Sequence, residues 1–294
     1  MEALLSLSFD NLSSYDGGKI RKGLRQVEGL LAQICLSTSA KSTVERRRSS
    51  IVDPGKEPPP RKELGELGQD PAFREFFKLQ EGFEWNVALR LVNCLDRLMG
   101  RSNDGANDLL ILSTLDLIQG ILLLHPPSRS LFSRELYMNH ILDLMEPVNC
   151  PAIQSATTLT LVCALIDTPQ NTRTFENLDG LLTVTSLFKS RSTSREVKLK
   201  LVEFLYFYLM PETPSIPSAI ATASVPAMLQ RSPSKLAGAF QLRAETAGRR
   251  RADSESETTK TIEEKQELLG RYLNSVDDLV ADLRESTPFG MVEC

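Results

Sequence analysis

The sequence predicts an all-α protein, and three observations support this fold class. Apolar residues recur at three- and four-residue steps along most of the chain, a spacing that places them on one face of a helix. No segment shows the sustained apolar–polar alternation of a half-buried strand. Hydrophobic residues make up 41% of the 294 residues but aromatic residues only 6%. Leu, Ile and Val therefore carry the burial, as they do in helical bundles and solenoids.

Residues 1–36 are expected to form an N-terminal helical segment that packs on the main domain. Ile20, Leu24, Val27 and Leu31 share one face, which predicts a helix over residues 19–36. A shorter amphipathic piece over residues 4–12 precedes it. Residues 37–69 lose this periodicity and contain three consecutive prolines, so we expect a disordered insertion loop there.

Residues 70–212 form the predicted main domain. Asp70 followed by Pro71 is a typical helix start, with an N-cap carboxylate and a proline at the first helical position. Further helices are predicted over residues 85–99, 109–124, 130–145, 153–166, 177–188 and 195–210. The connections are short, so successive helices should be antiparallel neighbours.

A repeat of 43 residues predicts how these helices are arranged. The shift aligns Phe132 with Phe175, Ile141 with Val184 and Leu144 with Leu187, and it continues into the next helix. A period near 43 lies in the range of HEAT and armadillo repeats, which favours an armadillo/HEAT-like stack of antiparallel helix pairs. An irregular bundle of the same helices is the alternative.

The C-terminal part divides into a linker and a helix. Residues 213–258 are rich in Ser, Pro, Ala and Arg without a long periodic run, which predicts a disordered linker. Residues 259–294 are predicted to hold an isolated amphipathic helix, over residues 259–285, and a short tail. Such a helix either packs back on the domain or docks into a partner.

The sequence offers no motif for catalysis, a cofactor or a metal. Glycine-rich phosphate loops and the nucleophile elbow are absent. His125 is expected to cap a helix end or to be exposed, and His140 to be a structural histidine. A cysteine phosphatase requires an arginine six residues after its thiolate, and the residues six positions after Cys35, Cys94, Cys150 and Cys163 are Lys41, Gly100, Ala156 and Pro169. We expect neither an enzyme nor a small-molecule substrate.

Charge and hydropathy restrict the partners. A net charge of −4 without a basic stripe disfavours nucleic acid, because phosphate contacts need clustered cations. No run reaches the roughly 18 apolar residues of a membrane span, and the N-terminus lacks the basic region of a secretory signal. We therefore expect a soluble cytoplasmic protein.

The segment from Asn171 to Leu181, together with Lys198 to Leu209, resembles the fungal cell division control protein 14 family. This family is the component of the septation initiation network and not the phosphatase of the same name. The resemblance covers roughly residues 1–212 outside the 37–69 loop and also takes in the Ser-Pro-Arg-rich tail. It implies a non-catalytic subunit that binds a germinal-centre-type protein kinase at the mitotic spindle pole body and supports cytokinesis and septum formation.

The surface that would bind this partner follows from the architecture alone. Candidate contacts are two residues expected in a turn before a repeat helix and three polar residues on the last helix of the domain: Asn171, Arg173, Glu196, Lys198 and Lys200. Helix capping or a solvated helix face explains the same residues equally simply. An adaptor that targets a different partner to the spindle pole body or division site, using its C-terminal helix, is the alternative function.

Short kinase motifs cluster in the predicted loops and tails. Arginines three positions earlier mark Ser49, Ser50 and Ser254 for a basophilic kinase, and a following proline marks Ser232 and Thr287. Phosphorylation there would add charge that can switch docking without unfolding a core.

Overall fold

The computed structural model describes residues 1–36, 62, 64–100, 105–212 and 259–276. Within these residues the protein is helical and contains no extended strand, which confirms the all-α fold class. The armadillo-like stacking of the helix pairs and the domain boundaries remain predictions. The candidate phosphorylation sites Ser49, Ser50, Ser232, Ser254 and Thr287 lie outside the described residues.

The helices are labelled in chain order. They are α1 Glu2–Leu12, α2 Gly17–Cys35, α3 Leu64–Leu67, α4 Pro71–Glu81, α5 Val87–Met99, α6 Asp108–Leu124, a 3₁₀ helix Pro126–Ser133, α7 Glu135–Leu144, α8 Pro151–Leu165, α9 Pro169–Asn177, α10 Gly180–Lys189, α11 Arg195–Leu209 and α12 Ile262–Gly270.

The contacts divide the chain into two compact units. Unit 1 comprises Met1–Leu131 and Val148–Cys163, and unit 2 comprises Phe132–Pro147 and Ala164–Cys294. In unit 1, α1 packs on α2 and α5, while α6 packs on α2 and α5. In unit 2, α9 contacts α7 and α10, and α11 contacts α10 and α12.

The core of unit 1 contains neutral polar groups as well as apolar ones. Gln80 is fully buried, and its side chain accepts from the Val87 amide (2.7 Å) and donates to the Trp85 carbonyl (3.1 Å). The buried His125 ring bonds through Nδ1 to Ser128 Oγ (2.8 Å) and meets the Phe77 ring edge-on. His125 is the C-cap residue of α6, with its backbone N–H donating to the Ile121 carbonyl (2.8 Å), so the capping alternative is confirmed and the exposed one is wrong. Burial lowers the pKa of His125 to about 4, because desolvation disfavours the charged imidazolium.

Trp85 packs against helix α1 in unit 1. Its ring stacks on that of Phe9 in α1, with centroids 6.3 Å apart. The two helices α1 and α2 approach closely at Gly23, where a Cβ would lie 3.0 Å from Leu12 and from the Ser8 carbonyl. A larger side chain at this position would push α1 away.

Three sequence-based predictions in this part of the fold need correction. The short helix α3 lies inside the predicted loop 37–69, and Lys62 before it donates to the Ile34 carbonyl (2.9 Å) and pairs with Asp70. The helix predicted over residues 130–145 is a 3₁₀ helix followed by α7, because Arg134 between them is extended (φ −86°, ψ 126°). The helix predicted over residues 177–188 begins only at Gly180, since Asp179 adopts a left-handed backbone (φ 56°).

Gly180 illustrates why the chain must break between α9 and α10. A Cβ on this residue would lie 2.2 Å from the Phe175 ring and 2.6 Å from the Phe175 carbonyl. Phe175 is itself fully buried and meets the Phe204 ring edge-on at 5.7 Å. Only glycine allows α10 to start this close to the core of unit 2.

Among the described helices, none alone is long and apolar enough to cross a membrane. The helices Asp108–Leu124 and Pro126–Ser133 together are long and apolar enough to cross a membrane, by length and composition only, and they are bent by 119° at the break between them.

Candidate partner-binding surface

The five candidate contact residues separate into two groups in the structure. Asn171 and Arg173 lie within α9 and not in a turn, which corrects the prediction. Pro169 is the first residue of this helix, a position where proline's missing N–H costs nothing. Glu196, Lys198 and Lys200 lie on α11, as predicted.

Asn171 is not a surface residue. Its side chain is fully buried and donates from Nδ2 to the Ala164 carbonyl at 2.6 Å, which ties α9 to the end of α8. A partner protein cannot reach this amide, so we withdraw it as a contact.

Arg173 belongs to a buried ionic network. Its guanidinium pairs with Glu176 (2.9 Å) and with Glu212, and both carboxylates are less than one-tenth exposed. Ion pairs at this depth require every charge to be compensated. The guanidinium is committed to these two carboxylates, so Arg173 acts within the fold.

The described C-terminal residues complete this network. Lys260 Nζ pairs with Glu176 (2.5 Å), and Lys265 Nζ pairs with Glu212 (3.1 Å). Lys265 also donates to the backbone carbonyls of Tyr208 (2.9 Å) and Met210 (3.0 Å) at the end of α11. Helix α12 is therefore packed on the domain, which is the first of the two alternatives that the sequence left open for it.

Burial shifts the pKa of two members of the network. The pKa of Lys265 is lowered, because desolvation outweighs the attraction of Glu212 and Glu176. The pKa of Tyr208 is raised by burial and by Glu176, whose carboxylate accepts the Tyr208 hydroxyl at 2.7 Å. The hydroxyl is therefore a hydrogen-bond donor and remains protonated.

The exposed face of α11 forms a shallow groove of about 590 Å³ lined by Arg195, Glu196, Lys198, Leu199 and Val202. Leu199 is 59% exposed although it is a large apolar residue, and charged side chains surround it. An apolar centre with a charged rim is typical of protein–protein contact surfaces. Lys200 lies outside this groove and pairs with Glu203 (2.8 Å).

Sequence reasoning missed the two features that organise this region. Leu199 was not singled out, although a leucine between Lys198 and Lys200 on a helix with a filled apolar face is a detectable signal. Glu176, Glu212, Lys260 and Lys265 carry no local signal, because they are distant in sequence and meet only through the fold.

These observations define an all-helical protein with an exposed groove on one helix and a C-terminal helix held by a buried ionic network. The sequence matches the family described as Cell division control protein 14, SIN component, over residues 1–289, and the chain belongs to this family. The family takes part in cell division control as a component of the septation initiation network. It is named for that network and not for an enzymatic activity.

One curated relative supports this assignment along the whole chain. The Cell division control protein 14 of Schizosaccharomyces pombe (strain 972 / ATCC 24843) is 28% identical over 302 residues, covering 100% of this chain and 98% of the relative. No solved structure matches the chain.

Proposed function

We propose that this protein is a non-catalytic scaffold subunit of the septation initiation network that binds a germinal-centre-type protein kinase. In this role it supports cytokinesis and septum formation from the cytoplasm, with recruitment to the mitotic spindle pole body. The observation that carries the proposal is the family match over nearly the whole chain. The kinase itself follows from the resemblance described above.

The groove on α11 is the surface we assign to the kinase. Leu199 supplies an exposed apolar anchor, and Arg195, Glu196 and Lys198 supply charges of both signs around it. A small number of such anchors carries most of the binding energy of an interface, while the charged rim sets the register of the partner. A kinase segment outside the catalytic domain fits a surface of this kind.

Co-purification of the full chain with the kinase tests the scaffold function. We expect a stable complex at micromolar concentration, and Leu199→Asp should weaken it by about tenfold or more, because a charge cannot replace a central apolar contact. Leu182→Asp is the matched control, since Leu182 is a leucine of unit 2 with 45% exposure on a different helix. It should bind like the wild type.

Two results would contradict the proposal at different levels. If the wild-type chain does not bind the kinase at micromolar concentration, the scaffold function is wrong. If the wild type binds but Leu199→Asp binds equally well, the function holds and the groove is not the contact surface.

A further inference from the structure

Helix α12 occupies a surface built for a particular kind of helix. We call this surface the α12 seat and define it by the carboxylates of Glu176 and Glu212, the Arg173 guanidinium, and the backbone carbonyls of Tyr208 and Met210. Both carboxylates are almost completely buried in the docked state.

The charges of the seat select a lysine-led helix. Without α12 the seat holds two carboxylates and one guanidinium, an excess of one negative charge. Lys260 and Lys265 bring one ammonium group to each carboxylate, and the Lys260 amide also donates to Glu212 (2.9 Å). The Lys265 ammonium lies 5.2 Å from the centre of the Tyr208 ring, a favourable cation–π distance.

Apolar residues follow the two lysines at regular steps. Leu269, Leu273 and Val276 are buried, at 0%, 6% and 3% exposure, although they belong to a short C-terminal segment. The side chain of Glu267 on the same helix is 78% exposed and faces solvent. The seat therefore recognises two lysines five positions apart, followed by apolar residues four and eight positions after the second lysine.

Helix α12 is too short to be stable without the α12 seat. Its nine residues are too few to form a stable helix alone, because isolated helices shorter than about 12–15 residues are marginal in water. The capping box of Thr261 and Glu264 defines where the helix starts, yet it does not make the helix independent. Residues 213–258 connect the domain to α12 in the sequence, so a released α12 would stay tethered and its return would be an intramolecular event.

We propose that the α12 seat is a helix-docking site that α12 occupies in cis and that a partner helix with the same chemistry occupies in trans. Such a partner carries one lysine just before its helix, a second lysine five positions later within the helix, and apolar residues at the matching steps. Binding of the partner releases α12, and docking of α12 closes the seat. The partner half of this inference rests on the proposed scaffold function; the cis half does not.

A labelled peptide tests the exchange on the full-length chain. The probe is a fluorescent peptide of residues 259–276, and binding is read by fluorescence anisotropy. Leu269→Asp in the chain removes a fully buried contact of α12 and leaves every group of the seat in place. We expect this variant to bind the peptide about tenfold or more tightly than the wild type, because its own helix no longer competes.

Matched controls distinguish specific binding to the α12 seat from nonspecific peptide binding. Glu267→Gln changes an exposed residue of the same helix and should bind the peptide like the wild type. A peptide with Lys265→Glu should not bind the Leu269→Asp chain, and neither should the normal peptide bind a Leu269→Asp, Glu212→Gln double variant. Equal binding of the peptide by the wild-type and Leu269→Asp chains would overturn the inference.

A second experiment does not depend on any variant of α12. A protease site is placed within residues 213–258, the chain is folded intact, and it is then cut. We expect the released C-terminal fragment to exchange with the labelled peptide and to leave the domain on dilution. A fragment that stays bound without exchange shows a permanent element of the fold and refutes the proposal. A concentration-dependent dimer of the uncut chain, with α12 docked on a second copy, refutes cis occupancy.

These outcomes are distinguishable from those of the kinase experiment. Peptide exchange without kinase binding supports the cis half and rejects the scaffold function. Kinase binding without peptide exchange supports the scaffold function and rejects the seat.

Discussion

The two units bury polar side chains in different ways. Unit 1 relies on direct hydrogen bonds, such as those of Gln80 with backbone partners, of His125 with Ser128, and of the buried Arg129 with the Leu122 carbonyl (3.2 Å). Unit 2 buries a network of full charges, in which Glu176 and Glu212 are compensated by Arg173, Lys260 and Lys265. Neutral pairs tolerate the loss of a partner better than charged ones, since an uncompensated buried charge is far more costly.

The same contrast appears where each unit holds the ends of a long segment together. Lys62 in unit 1 bonds to the Ile34 carbonyl and pairs with Asp70, and its side chain is 16% exposed. Glu212 in unit 2 pairs with Lys265 and accepts from the Lys260 amide, and its side chain is 7% exposed. Because ion pairs gain little where solvent competes, we expect the unit 2 closure to be the more sensitive to substitution.

The largest effect is predicted for Glu212→Ala. The substitution leaves the Lys265 and Arg173 charges buried with one carboxylate fewer, which should destabilise unit 2 by about 3 kcal/mol or release α12. Urea denaturation followed by circular dichroism measures the first outcome, and hydrogen exchange over residues 262–270 measures the second.

Glu203→Ala is the control for this variant. Glu203 also pairs with a lysine, but its side chain is 52% exposed. Its removal should cost less than about 0.5 kcal/mol. If both variants have the same small effect, the distinction between buried and exposed charges in this region is wrong.

A smaller effect, confined to acid, is predicted for unit 1. The folded-state pKa of His125 is about 4, below its ordinary value of 6.5. Between these values the unfolded chain binds a proton that the folded chain does not, so stability falls as the pH falls below 6.5. Lowering the pH from 7 to 5 should cost about 2 kcal/mol through this residue.

The variant His125→Gln isolates this contribution. Glutamine does not titrate, so the variant should lose about 2 kcal/mol less than the wild type between pH 7 and pH 5, measured by urea denaturation at each pH. An identical pH dependence of the two proteins would show that His125 can be protonated in the folded state at no cost.

The smallest effect is predicted for Lys62→Met. Methionine keeps the length of the side chain and removes its charge, which leaves Asp70 with its capping bond to the Ala72 amide (2.7 Å). The loss of a partly exposed pair should cost about 0.5–1 kcal/mol in thermal or urea denaturation. If Lys62→Met lowered the free energy of unfolding as much as Glu212→Ala does, the predicted difference between the Lys62 contacts of unit 1 and the Glu212 contacts of unit 2 would be wrong.

Local patterns in the sequence were sufficient to predict most of the helices. Asp70 and Pro71 were predicted to start a helix, and α4 begins there with the Asp70 carboxylate as its cap. Helix α9 was missed because its sequence, Pro169 to Asn177, is mostly polar and shows little apolar periodicity. A short helix of this kind is stabilised by contacts of Asn171, Arg173 and Phe175 that only the folded domain provides.

The candidate surface was predictable only in part. The positions of the exposed Glu196 and the half-buried Lys198 follow from the helical spacing of α11, and both residues line the groove. The α12 seat could not be predicted, since Glu176 and Lys260 are separated by 84 residues and neither lies in a recognisable motif. Arg173 was predicted to contact a partner. In the structure its guanidinium pairs with Glu176 and Glu212 inside the domain.

Trp85 makes the two units separable by spectroscopy. It is the single tryptophan of the chain and stacks on Phe9 within unit 1. Tryptophan emission therefore reports on unit 1 alone, while the α12 seat has Tyr208 as its nearest chromophore. In a urea titration, a change in circular dichroism at a lower urea concentration than the change in tryptophan emission would identify unit 2 as the first to unfold, without any added label.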